Sequence, residues 1–131
     1  MRRIRLLLLA VLALLVVAAP AEAASVKGTW KGTAQVIRGG SGTFPMKMTI
    51  KRTKVGVRAG RLSNPGTPCR GTLRVIRRRN GGYDLRYREL SRSKQCTGDD
   101  RIFIRRRGTR LLWRATAPGG TQVGRALLRR A

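Results

Sequence analysis

Catalysis needs groups that move a proton, attack a substrate or hold a metal, and this sequence has few of them. It has no histidine, so neither a Ser-His-Asp triad nor a Cys-His dyad can be assembled. Its only cysteines are Cys69 and Cys96, and its acidic residues are Glu22, Asp84, Glu89, Asp99 and Asp100. Asp99 and Asp100 alone do not make a zinc or calcium site. A glycosidase pair would have to set Glu89 against Asp84, Asp99 or Asp100 across a cleft, and the spacing gives no sign of one. The expectation is a non-catalytic protein with no metal and no cofactor.

Arginine is the abundant functional group. The chain carries 30 basic and 5 acidic residues. A GC-rich genome favours arginine over lysine codons, but that does not account for the shortage of Asp and Glu. On alternating strands the outward cations would be Arg70, Arg74, Arg77, Arg78, Arg79, Arg86 and Arg88, joined by Arg105, Arg106 and Arg107. Neighbouring strands would merge them into one face able to attract phosphate or carboxylate polymers without a specific site. Single-strand nucleic-acid binders add exposed aromatics for stacking. Here Trp30, Trp113, Phe44, Tyr83 and Tyr87 fall on inward positions, with Phe103 the exception, which argues against sequence-specific readout.

The start of the chain is an export signal by pattern. Arg2, Arg3 and Arg5 precede an apolar run over residues 6–19, then Pro20 and the small-residue site Ala21-Glu22-Ala23. The run is short for a membrane span, which needs roughly 20 apolar residues. Residues 1–23 are read as a cleaved signal peptide and 24–131 as one secreted domain, with no stable membrane span after cleavage. Removing Arg2, Arg3, Arg5 and Glu22 leaves 27 basic and 4 acidic residues, a net charge of +23. In an oxidising compartment, Cys69 and Cys96 are expected to form a disulfide, a useful staple for so small a domain.

These residues must be positioned by strands, because apolar and polar residues alternate nearly throughout and no helical period persists. Eight strands are expected. The first covers 27–38, with Trp30, Gly32, Ala34 and Val36 on one parity. Gly39-Gly40-Ser41-Gly42 turns into the second, 43–51, where Phe44, Met46, Met48 and Ile50 face inward. Pro45 suggests an edge or a first position there. The third covers 54–62, with Val55, Val57 and Ala59 inward. A hairpin follows between the cysteines, turning at Asn80-Gly81-Gly82. Its first arm has Gly71, Leu73 and Val75 inward, with Ile76 breaking parity like a bulge. Its second arm has Tyr83, Leu85, Tyr87 and Glu89 inward and Asp84, Arg86 and Arg88 outward. The remaining strands are 101–107, a seventh with Leu111, Trp113 and Ala115 inward, and 121–130. The fold class is therefore all-β: a small antiparallel meander or barrel of about eight strands. An inward Glu89 needs a partner, either an arginine bracing the hairpin or a ligand in a cavity.

Two resemblances attach to these residues. Gly28-Thr29-Trp30 resembles the G-x-W opening of calycin barrels, the lipocalin and avidin type. That resemblance implies a tryptophan plugging one end, with Arg125 or Arg129 packed across it. The wider pattern is similar to a small secreted domain of actinobacteria, also found as an extracellular module of serine/threonine protein kinases. Its elements here are Trp30-Lys31-Gly32, the strand led by Phe44, a Gly-rich strand, Cys69-Arg70-Gly71-Thr72-Leu73, the strand from Tyr83 to Glu89, Cys96, and Leu111-Leu112-Trp113. It implies a fold and a compartment but no activity. This sequence departs from it in its flood of arginine and its lack of a kinase domain.

The sequence thus supports a secreted protein that associates electrostatically with anionic cell-envelope glycopolymers or extracellular nucleic acid. The alternatives are a calycin-like carrier with a small ligand in the barrel, and a structural envelope protein.

Overall fold

The computed structural model describes residues 25–38, 42–96 and 100–131. The expected signal segment 1–23, the Gly39-Gly40-Ser41 part of the first turn and Asp99 lie outside them. The described chain forms eight strands: β1 (Gly28–Val36), β2 (Thr43–Ile50), β3 (Arg58–Ser63), β4 (Arg70–Arg79), β5 (Gly82–Glu89), β6 (Asp100–Arg107), β7 (Arg110–Thr116) and β8 (Gln122–Arg130). Each pairs antiparallel with the next, and β8 returns to β1 through Lys31↔Arg129 and Gln35↔Arg125, closing a barrel. Closure leaves no open edge to be capped.

Alternation fixes which residues fill the barrel. Trp30, Met46, Met48, Ile50, Leu73, Val75, Leu85, Ile104, Leu111 and Leu128 are completely or almost completely buried. Each fully buried large apolar side chain contributes roughly 1.5–3 kcal/mol, so a one-residue slip that turned these rows outward would be prohibitive. The register is therefore locked, and with it the position of every outward cation. The hairpin turns on Asn80 and Gly81, both at positive φ (49° and 73°), the pair of left-handed residues that a type I′ turn requires. Pro45 pairs with Thr33 of β1 but lies before the β2–β3 ladder, which begins at Lys47↔Ser63. Its missing N–H therefore removes no hydrogen bond from that ladder.

Cys69 and Cys96 are disulfide-bonded, tying the start of β4 to the loop after β5. Ile76 marks a bulge as its parity suggested: Val75 pairs with Leu85, and the next pairing is Arg77 with Asp84. The third strand is shorter than expected. Residues 54–57 form a turn around Gly56, at φ 84°, with the Val57 amide donating to the Lys54 carbonyl. Of the expected inward set Val55, Val57 and Ala59, only Ala59 is buried, and Val55 is half exposed.

Candidate polyanion-binding surface

Outward parity and locked register together set cations side by side across strands. Arg58 of β3 pairs with Arg74 of β4, Arg74 with Arg86 of β5, and Arg86 with Arg101 of β6. All four are exposed. Neighbouring strands are about 4.8 Å apart, so these arginines form a row across half the barrel, with the Arg74 guanidinium also donating to the Gly56 carbonyl at 2.6 Å. A second row runs through Arg107, Arg110, Arg129, Lys31 and Lys47, each opposite the next, on β6, β7, β8, β1 and β2. These five are exposed as well. Neither row contains a carboxylate. Like charges directly opposite on neighbouring strands destabilise a sheet in general; beside the first row, one carboxylate, Asp100, lines a surface pocket with Arg86 and Arg101.

The expected arginines take several different positions. Arg74, Arg86 and Arg107 stand in the rows, while Arg70 and Arg88 are exposed near them. Arg77 and Arg79 are committed to Asp84. Arg77 Nε donates to Asp84 Oδ2 at 2.5 Å, and Arg79 binds both carboxylate oxygens at 2.9 Å. Asp84 has the outward parity expected of it but is buried beneath these two side chains, because the bulge brings Arg77 opposite it. Burial opposes its ionisation. The hydrogen bonds from Arg79 and Arg77 outweigh that and hold its carboxyl below the usual range. Arg78 lies over the Tyr83 ring, 5.5 Å from its centroid. Arg105 is half-buried. The expected single face is thus two separate rows. Arg58, Arg101, Arg110, Arg129, Lys31 and Lys47 stand in the rows but were not among the expected polyanion-binding residues, because strand register rather than runs of arginine brings them together.

Arg106 does not belong to the outward surface. It follows Ile102 and Ile104 on the inward parity of β6 and reaches the barrel end, where its guanidinium donates to the carbonyls of Ser25 and Gly108. It sits 5.2 Å from the Trp30 ring centroid, and Arg130 sits at 4.4 Å. These two, rather than Arg125 or Arg129, pack on Trp30. Arg130 shares the inward parity of Ala126 and Leu128, whereas Arg125 and Arg129 face out. Gly28 makes room for it: a Cβ there would collide with the Arg130 guanidinium. The Trp30 indole donates to Val26 O at 2.8 Å, so residues 25–27 close this end. Beside it lies an open groove of about 820 Å³ that includes Lys27, Arg52, Lys54 and Arg78 in its lining.

Glu89 is half-buried at the opposite end and, among the described residues, has no arginine side chain as its partner. Its carboxylate accepts from the backbone amides of Arg70 and Ser91 and from the Tyr87 hydroxyl. The expected Glu-Arg brace is replaced by amides that the ends of β4 and β5 leave unpaired. Among the described residues, no group of three His, Cys, Asp or Glu side chains is placed to hold a metal ion. Compared with known proteins, the chain matches no family model, no curated protein and no solved structure.

Proposed function

We propose that this chain is an exported, non-catalytic protein that binds flexible anionic polymers through its two rows of basic residues. The observation that carries this reading is the row Arg58, Arg74, Arg86 and Arg101, four adjacent cations with no carboxylate among them. Like charges set opposite one another become favourable when a polyanion supplies the missing charge. Flexible polymers fit this surface better than a duplex. The rows follow a curved wall, whereas duplex DNA has a persistence length of about 50 nm and would touch few strands at once. The fully inward Trp30 and the Arg79 guanidinium over Phe103 leave little aromatic surface for base stacking. Anionic glycopolymers of the cell envelope are therefore the favoured partners, with extracellular nucleic acid the competitor.

The export reading rests on the pattern in residues 1–23 and is supported by the disulfide, which is stable in an oxidising compartment. A small ligand carried in the middle of the barrel finds that space filled by Trp30, Met46, Met48, Leu73, Leu85 and Leu111. The test is a salt series of binding by residues 24–131 to teichoic acid, heparin and duplex DNA. The proposal expects the flexible glycopolymers to bind more tightly than duplex at equal phosphate or sulfate concentration. Loss of all binding by physiological salt would leave the rows as a solvated coat.

A further inference from the structure

The barrel end closed by residues 25–27 carries a second surface, distinct from the two rows. Antiparallel order gathers there residues 25–27, the segment 51–57 and the turns at Asn80-Gly81 and Gly108-Thr109, all of them described. The turn 54–57 is pinned. The Val57 amide donates to the Lys54 carbonyl, the Gly56 amide to the Val75 carbonyl, and the Arg74 guanidinium to the Gly56 carbonyl. This fixed turn leaves Val55 51% exposed. The groove beside Val55 is lined by Lys27, Arg52, Lys54 and Arg78, all exposed, together with the half-buried Val57 and Tyr83. No acidic side chain lines it. Of the three acidic side chains among the described residues, Glu89 and Asp100 belong to the opposite end, and Asp84 is covered by Arg77 and Arg79.

We propose that this end docks on the surface of a bilayer rich in anionic phospholipid, with Val55 entering the headgroup region and the four cations meeting lipid phosphates. An apolar tip ringed by cations selects that occupant. A hydrated glycopolymer is held by cations alone and gains nothing from an exposed valine. The core of a protein interface is depleted in charge, and lysine is disfavoured across it. At a membrane surface the same residues agree with one another. Lysine and arginine lay their apolar stems along hydrocarbon and keep their charges at the phosphates. Tyrosine suits the headgroup level, and each cation near an anionic leaflet strengthens binding about 5-fold. Leu90 is equally exposed at the opposite end, but Glu89 adjoins it and Asp100 shares that end, so an anionic surface favours the Val55 end.

The test uses residues 24–131, which hold all eight strands, the barrel closure and the disulfide without the apolar run at 6–19 that would bind lipid by itself. Vesicles of phosphatidylglycerol and phosphatidylcholine in equal parts, and of phosphatidylcholine alone, are compared by flotation at about 0.15 M salt. Wild type should float with the anionic vesicles and not with the neutral ones. Val55→Ser should weaken that binding about 3- to 10-fold, the value of half a valine burial, and leave heparin binding unchanged. Arg52→Gln with Lys54→Gln should weaken it about 25-fold. Val55→Trp reports on the docked face directly, because Trp30 and Trp113 are already buried. The indole it adds should shift to the blue with anionic vesicles and be quenched by brominated acyl chains. Absence of flotation overturns the proposal, and so does equal flotation with neutral vesicles. Flotation with no blue shift from the added indole overturns it too, because the wall rows would then be holding the vesicle. A blue shift with heparin as large as that with lipid would make a polymer the occupant of this end. Failure of the rows to bind polymers leaves all of these readouts untouched.

Discussion

Replacing Arg86 by Gln should make the barrel more stable and its polyanion binding weaker. Arg86 has an arginine directly opposite on each side, Arg74 and Arg101. Strands about 4.8 Å apart put the ends of splayed guanidinium groups roughly 7 Å from one another. In water that separation gives about 0.6 kcal/mol of repulsion per pair. A Debye length of about 8 Å at physiological salt reduces it to about 0.25 kcal/mol. Removing two such pairs stabilises the protein by about 0.5 kcal/mol, a modest value of the kind expected for exposed charges. At 0.01 M salt, with a Debye length of about 30 Å, the gain rises to about 0.9 kcal/mol. For a domain of this size that is a Tm increase of about 2–4 °C at physiological salt and about twice that at low salt. Thermal melts of wild type and Arg86→Gln at the two salt concentrations give the answer. The same variant should lower the slope of log affinity against log salt by about 0.7–0.9. A lower Tm, or a gain that does not grow as salt falls, refutes the reasoning, because Arg86 would then be held by attractive contacts rather than by crowding among cations.

Three further outcomes follow from other parts of the barrel. Cys69→Ser with Cys96→Ser opens a bridge across a sequence separation of 27, and should cost about 3–4 kcal/mol in a urea unfolding titration. Gly71→Ala should cost about 1–3 kcal/mol in the same titration, because the added methyl group overlaps the Tyr87 ring and the Arg88 carbonyl. The carboxyl of Asp84 is depressed in the folded state despite its burial, through the hydrogen bonds from Arg79 and Arg77. Its contribution is therefore fully present above the ordinary carboxylate range near 3.9 and is lost as pH falls through the lower folded value. Acid unfolding curves of wild type and Asp84→Asn should differ at neutral pH and converge below that range. Curves that stay parallel to the lowest pH would show that Asp84 contributes no such linkage.

Much of the fold was legible because one signal dominated. Strict alternation in β2 fixed an inner face, Asn80-Gly81 fixed a hairpin, and two cysteines left one possible pairing. What escaped depended on more than parity. Gly56 reads as a weak point in a strand, yet its positive φ ends the strand and begins a turn. Asp84 has outward parity, but a one-residue bulge at Ile76 brings Arg77 over it and buries it. Glu89 was rightly marked as needing a partner. Its partners are backbone amides and a hydroxyl, which no residue pattern announces. The basic surface was legible in amount but not in shape. Runs such as Arg77-Arg78-Arg79 draw the eye, yet two of those three arginines are held by Asp84. The rows form from scattered single cations such as Arg58 and Arg101, and only strand register brings those together.

The central claim is that the rows are a working surface rather than a coat. The most direct measurement compares residues 24–131 with a variant in which Arg58, Arg74, Arg86 and Arg101 are all changed to Gln, in binding to teichoic acid across a salt series. The account predicts that wild type still binds at physiological salt, and that the variant is better folded, binds more weakly and has a slope lower by about 3. Equal affinity and equal slope for the two proteins would contradict it.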